Sequence, residues 1–276
     1  MPEIYDLHCH STASDGALSP TELVQRAQSK GVTALALTDH DTTLGLAEAA
    51  KAASEIDLRF IPGIELSALH ANQCLHIVGL NIDPLHSVLL EGIAKQQAIR
   101  ESRAQKIADK LQKKGIFGVY EAIREKSGDG EITRSHFADF LYQHGWVASQ
   151  QEAFDRYLSK GKPAYVPTQW ASLEEVVDWI KVAGGIAVLA HPLRYNLSHK
   201  WMDRTLAEFK SAGGQGIEVV TSRISADEIR ISQQFCQKHQ LYASIGSDFH
   251  TPDNQWVELG RFPVLPINLM PVWGLF

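Results

Sequence analysis

Cysteine is scarce in this chain, and its placement removes two explanations at once. Only Cys9, Cys74 and Cys236 occur, an odd number, widely spaced and without a CxxC pair. Neither a disulfide framework nor a thiolate zinc site is expected, and a reducing compartment fits best. Long apolar runs are missing as well, since no stretch approaches the ~18 residues that a membrane helix needs. The N-terminus lacks the basic start and apolar core of a signal peptide, so the chain reads as soluble, unprocessed and cytoplasmic. Nor is there a surplus of positive charge. With 26 Lys and Arg against 32 Asp and Glu, the formal charge is -6. Binding to duplex DNA or to an anionic membrane through bulk electrostatics is not expected, and an anionic substrate has to be attracted locally. Internal repeats and low-complexity segments are also absent. What remains is an ordinary globular composition, 44% hydrophobic over 276 residues, enough for one large α/β domain or a domain carrying an insertion.

The order of elements supports the second option. The first third alternates short apolar runs with helical patterns: EIYDLHC, a helix from about Pro20, TALAL, a second helix, then RFIPGIEL and CLHIVGL. That rhythm marks βα units and a mostly parallel sheet. Ser19 and Glu22 form a capping box, Pro20 takes the first helical position, and Gly31 follows the end. From about residue 85 to 165 the pattern is helical only, led by a long charged segment that Gly115 ends. Ser149 with Glu152 reads as another capping box inside this block, and Ser172 with Glu175 as one just after it. The expected organisation is a first barrel part over 1–84, a helical insertion over 85–165 and a second barrel part over 166–276. Seven strand candidates, at about 3–9, 33–37, 58–66, 74–80, 186–190, 216–220 and 242–246, suggest a distorted barrel.

The stretch DLHCHSTASDG raises the question of a metal. His8 and His10 are two apart on an extended segment, so both rings share a face while Cys9 takes the other. Alone the pair is weak, because the chain has 12 His. Metal-capable residues recur at six of the seven strands, however: His8 and His10, His40, Glu65, His76, His191, then Asp248 with His250. In a parallel barrel the carboxyl ends of all strands share one mouth, so these residues converge. Asp15, on a Ser-Asp-Gly turn, is close enough to fold back over it. A lone histidine such as His76 is more often a half-buried polar residue than a ligand, and an Asp in such a turn is ordinary turn chemistry. Coincidence of placement outweighs those separate odds. Asp39 reads as a carboxylate orienting the site and Asp41 as a helix N-cap, while His70, His86, His144, His199 and His239 fall outside the pattern. Nine nitrogen and oxygen donors exceed the needs of one ion, so two or three divalent ions are expected, manganese first, with iron or zinc as options. A cluster of that kind suits phosphoester hydrolysis.

As a set, DLHCHSTASDG, LTDHD, PGIELSA, the His76 strand, LAHP and GSDFH resemble the PHP family, named for polymerase and histidinol phosphatase domains. The resemblance implies a distorted (β/α)7 barrel with a helical insertion and a trinuclear metal site. It implies as metal ligands His8, His10, Asp15, His40, Glu65, His76, His191, Asp248 and His250, with Glu65 bridging two ions. ITRSHFADFL, SKGKPAYVP and PVW look like the branch that includes nucleoside 3',5'-bisphosphate phosphatase and the 5'-3' exoribonuclease RNase AM. That branch implies a small nucleotide or short 5'-phosphorylated RNA as substrate.

The residues themselves agree. Arg100 and Arg103 lie about one turn apart on the long helix, Arg134 and His136 near a helix start, and Lys162 in the returning loop. All are candidates to hold a second phosphate, with a solvated surface charge as the ordinary alternative for Arg100 and Arg103. Histidinol phosphate phosphatase is an alternative on the same site, but an amino-alcohol monophosphate needs no second clamp. A barrel amidohydrolase also opens on HxH, yet commonly bridges its ions by a carbamylated lysine where this chain has Glu65. A metal-stabilised interaction module is the non-enzymatic alternative, and loss of ligands would favour it.

Overall fold

The computed structural model describes residues 3–276. Seven strands lie side by side in chain order: β1 (Tyr5–Asp6), β2 (Ala34–Leu37), β3 (Arg59–His70), β4 (Gln73–Leu80), β5 (Ile186–Leu189), β6 (Gly216–Thr221) and β7 (Tyr242–Gly246). The last strand returns to the first. Leu7 N–H donates to Ile245 O at 3.2 Å and Asp248 N–H to His8 O at 2.8 Å, which nearly closes the sheet into a barrel. Gly246 makes that approach possible, since a Cβ there would stand 2.4 Å from the Cβ of His8.

One strand breaks the expected parallel order. β4 is antiparallel to both β3 and β5, whereas β1–β2–β3 and β5–β6–β7 are parallel. β3 runs four residues past the expected end and turns directly into β4 through Ala71 and Asn72, both with positive φ (47° and 62°). Two consecutive left-handed residues make the tight hairpin turn that matches strand twist. Because β4 runs the other way, its first half, with His76, stands at the mouth. His76 therefore stands among the residues of the mouth, opposite Ser67 of β3.

Helices cover the outside. α1 (Pro20–Ser29) starts with the reciprocal Ser19–Glu22 cap, and α2 (Leu46–Glu55) packs beside it. α3 (Ser87–Gln112) serves two cores. Its first turns place Leu89 and Ile93 in the barrel core, with Gly92 against the Trp179 ring of a later helix. Its later turns place Ala104, Ile107 and Leu111 in a second cluster with Phe137, Leu141 and Leu158. That cluster joins α4 (Val119–Ser127), α5 (Arg134–Gln143) and the short α6 (Gln150–Ala153), which runs on into a wider turn over Phe154–Leu158. The Ser149 cap is only half of a box: Ser149 Oγ accepts from Glu152 N–H, but the Glu152 carboxylate takes Ala148 N–H instead. The chain returns through α7 (Leu173–Val182), which has the full Ser172–Glu175 box, α8 (His199–Ala212) and α9 (Ala226–Lys238). Among the described residues no helix is long and apolar enough to cross a membrane.

Replacing Gly246 by alanine should therefore wedge β1 from β7. Overpacking of this kind costs about 1–3 kcal/mol, to be read as a lower urea midpoint with an unchanged slope. An unaltered midpoint would show that the strands can part without cost.

Candidate metal centre

The barrel mouth is organised around one carboxylate. Glu65 is 1% exposed, on the stretch of β3 beside the end of β2, where Glu65 N–H donates to Asp39 O and Asp41 N–H to Glu65 O. Its two oxygens meet five imidazoles: His8 at 3.3 Å, His10 at 3.4 Å, His40 at 2.8 Å, His76 at 3.0 Å and His191 at 3.1 Å. Asp248 reaches the same rings from β7, 3.5 Å from His8 and 3.3 Å from His10. Asp15 stands across from them, 3.4 Å from His250 and 3.8 Å from His40. Its loop is pressed inward at Gly16, where a Cβ would meet the carbonyl oxygen of His10 at 2.2 Å. All nine residues expected at the mouth are thus brought together. Three overlapping groups, His10–Asp15–His40–His250, His8–His10–Glu65 and His40–Glu65–His76, each gather their donor atoms within 4.8 Å. Sharing of His10, His40 and Glu65 among the groups makes this a site for more than one ion.

The PHP domain pattern matches residues 6–221. The chain belongs to the PHP domain family. It is 45% identical to a 5'-3' exoribonuclease of Haemophilus influenzae, across 100% of both chains. It is 44% identical to a 3',5'-nucleoside bisphosphate phosphatase of Chromobacterium violaceum, covering 97% of this chain and 94% of that one. A solved structure described as an amidohydrolase from Chromobacterium violaceum, with sulfate bound and no metal, superposes with a TM-score of 0.93 at 42% identity, covering 98% of this chain and 95% of that one.

Does this PHP site fit metal ions? Buried polar atoms ordinarily find partners. Here His8 Nε2, both ring nitrogens of His10, Asp15 Oδ1, Glu65 Oε2 and His191 Nδ1 are buried without a hydrogen bond among the described residues. Such a concentration of unsatisfied donors and acceptors at one point is what divalent ions would satisfy, and the mixed nitrogen and oxygen set suits them. His191 and Asp248 also hold left-handed backbone angles (φ 29° and 54°), strain of the kind that a functional site retains.

Supporting residues fix the rings. Glu218, in the middle of β6, contacts His8 Nδ1 at 2.7 Å and accepts from His191 N–H at 2.5 Å. In the sequence GIEVV has the pattern of a plain buried strand, and the lone carboxylate inside so apolar a run is the signal that marks Glu218. Asp39 does orient the site, though by holding the loop: it accepts from Ser11 N–H and from the hydroxyls of Ser11 and Ser14. Asp41 is not a helix cap. Gly45 holds the N-cap position of α2, while Asp41 accepts from Ser67 N–H and pairs with Arg100. Tyr195, also unforeseen, accepts from His76 N–H and donates to Ala190 O, tying β4 to β5 beside the rings.

The basic residues divide into three groups. A cavity of about 610 Å³ next to the centre is lined by Arg100, Arg103, Arg134, Lys160 and Arg194, with Phe154, Tyr165 and Trp170 on its walls. Arg100 is 4% exposed and committed to Asp41, so it is neither a surface charge nor a free clamp. Arg103 and Arg134 have no carboxylate partner among the described residues; burial, with Arg134 and Arg100 nearby, lowers Arg103 to about 9. His136 is taken up locally, accepting from Thr133 N–H at the start of α5, and it lines a second groove instead. Lys162 is exposed and lines neither cavity; Lys160, two residues earlier, lines the first.

Charge within the cluster is strongly redistributed. Burial alone would raise Glu65, but the imidazoles of His40, His76 and His8 hold it well below the carboxylate range. Burial disfavours charge on His76 and His250 too; Glu65 nevertheless carries His76 up to about 10, and Asp15 carries His250 to about 9. Burial wins at His40, which falls to about 4. His76 and His250 are therefore protonated at neutral pH in the metal-free protein, and protons must leave before either ring can ligate. Metal affinity should rise with pH. Calorimetric titration of metal-free protein at pH 7 in two buffers of different ionisation enthalpy should give different heats, with one or more protons released. Identical heats would contradict it.

Proposed function

We propose that this PHP domain is a metal-dependent phosphoesterase that acts on nucleoside 3',5'-bisphosphates and on the 5' ends of short RNA strands. The observation that carries the substrate reading is the pair of unpaired arginines, Arg103 and Arg134, in a cavity beside the nine clustered donors. Two cations held together without a carboxylate are a cost that a bound anion offsets, and an arginine pair recognises phosphate well. A volume of about 610 Å³ falls among pockets that enclose a small ligand, and the Trp170, Tyr165 and Phe154 walls suit a nucleobase. The relatives from Haemophilus influenzae and Chromobacterium violaceum, named for RNA and for nucleoside bisphosphates, support the same reading.

Within it, His8, His10, Asp15, His40, Glu65, His76, His191, Asp248 and His250 hold two or three divalent ions, manganese first among them. Such ions, when bound, activate water and offset negative charge on the phosphoryl group. The chain's own residues do the placing. Arg103 and Arg134 hold the second phosphate, Arg194 stands between this cavity and the Asp248 carboxylate, and Glu218 keeps the His8 ring fixed. We read 85–165 as a lid rooted on the barrel by the first turns of α3. Thr133 Oγ1 donates to Asp15 Oδ2 at 2.8 Å, which locks the lid to the mouth. His136 and Lys162 then belong to the lid's framework and surface, with Lys160 in the basic role. The composition suits the cytoplasm.

Assay of manganese-reconstituted protein on a nucleoside 3',5'-bisphosphate, a short 5'-phosphorylated RNA and histidinol phosphate should show turnover of the first two. Activity confined to histidinol phosphate would overturn the reading. Arg134→Ala should lower kcat/KM on the bisphosphate by the loss of about 2 kcal/mol of charged hydrogen bonding, roughly 30-fold, and leave p-nitrophenyl phosphate hydrolysis nearly unchanged.

A further inference from the structure

The centre opens on two sides, and the second side has a different chemistry. Asp15, His191, Arg194, Asp248 and His250 line both the arginine cavity and a groove of about 1340 Å³ running the other way. Among the described residues no cluster of free cations lies in the groove. Lys126 is paired with Asp139, and Glu228 is spent on capping α9. Two hydroxyls in it stand out: Ser222 and Ser232 are 2% and 1% exposed, and their Oγ atoms have no partner among the described residues. Arg223 beside them pairs with no carboxylate among the described residues, and Tyr142 offers a half-exposed ring from α5. Buried hydroxyls without partners, one guanidinium and an aromatic face suit a ribose and base with a single phosphate, a far less anionic group than a bisphosphate.

Resting on the phosphoesterase reading above, we propose that this groove takes the nucleotide 3' to the scissile phosphate of an RNA strand. The 5'-terminal nucleotide then occupies the arginine cavity, with its 5'-phosphate against Arg103 and Arg134. Water attacks phosphorus, the P–O3' bond breaks, and O3' leaves with the electron pair and takes a proton. The phosphate stays on O5' of the strand in the groove, so the shortened strand carries a new 5'-phosphate and can enter again. With a nucleoside 3',5'-bisphosphate the same P–O3' bond breaks while the groove is empty, and inorganic phosphate departs. Whether the groove is filled thus distinguishes diester from monoester cleavage at one centre.

The test compares kcat/KM on a 5'-phosphorylated RNA dinucleotide and on a nucleoside 3',5'-bisphosphate. The double variant Ser232→Val with Arg223→Glu, and separately Tyr142→Ala at an exposed position that folding tolerates, should each lower the dinucleotide value about ten-fold. The bisphosphate value should stay within about two-fold for both. Equal losses on the two substrates, or no loss on the dinucleotide, would overturn the assignment. Wild-type protein that hydrolyses the bisphosphate but not the dinucleotide overturns the groove and the RNA half of the reading, and leaves the bisphosphate half standing. Wild-type protein inert on both overturns the parent reading and the groove with it.

Discussion

Everything at the barrel mouth depends on a carboxylate that is nearly inaccessible to water yet surrounded by five imidazoles. Burying Glu65 without partners would be costly, and burying the imidazoles together without an anion would be equally unfavourable. Placed together, they carry each other, and Asp15 and Asp248 do the same for the rings around them. The barrel is shaped to hold this arrangement in place. Gly246 lets β1 and β7 meet, Gly16 lets the Asp15 loop fold back, and the Glu218 carboxylate clamps His8 and the His191 backbone from underneath. Ions would replace a balance already struck with protons, so metal loading, pH and rigidity are one property of the protein.

The insertion supplies what the barrel lacks. A chain of net negative charge needs a local source of positive potential to draw in a phosphate, and the second core provides it by holding α3 and α5 with Arg103 and Arg134 over the cavity. Among the contacts that join that helical unit to the chemistry are Thr133 on Asp15, and Arg100 on Asp41 with Ser67 of β3. Arg100 accordingly fastens α3 to Asp41 and to β3. Its buried pairing with Asp41 explains why a residue that reads as a surface charge on an amphipathic helix is almost wholly enclosed.

Much of this was legible in the sequence, for a physical reason. Residues at successive strand ends of a barrel must converge, so His8, His10, His40, Glu65, His191, Asp248 and His250 could be grouped from strand spacing alone. Features set by tertiary partners were not legible. The direction of β4 turns on Ala71 and Asn72, a weak turn signal, so a strand antiparallel to both its neighbours was not expected. Asp41 has the position and chemistry of a helix cap, and only the distant Arg100 and Ser67 give it another role. Ser149 and Glu152 have the spacing of a capping box, but Ala148 N–H competes successfully for the carboxylate. Glu218 had no neighbour in sequence to mark it, because its partners are 210 and 27 residues away.

The most direct measurement of the account is metal stoichiometry. Wild-type protein and Glu65→Gln, each incubated with manganese, desalted and analysed by inductively coupled plasma mass spectrometry, would be compared alongside circular dichroism to confirm folding. About two to three ions per wild-type chain, and no more than about one in a folded Glu65→Gln chain, is the expected result. A folded Glu65→Gln chain that retains the wild-type number of ions would contradict the central place given to this carboxylate.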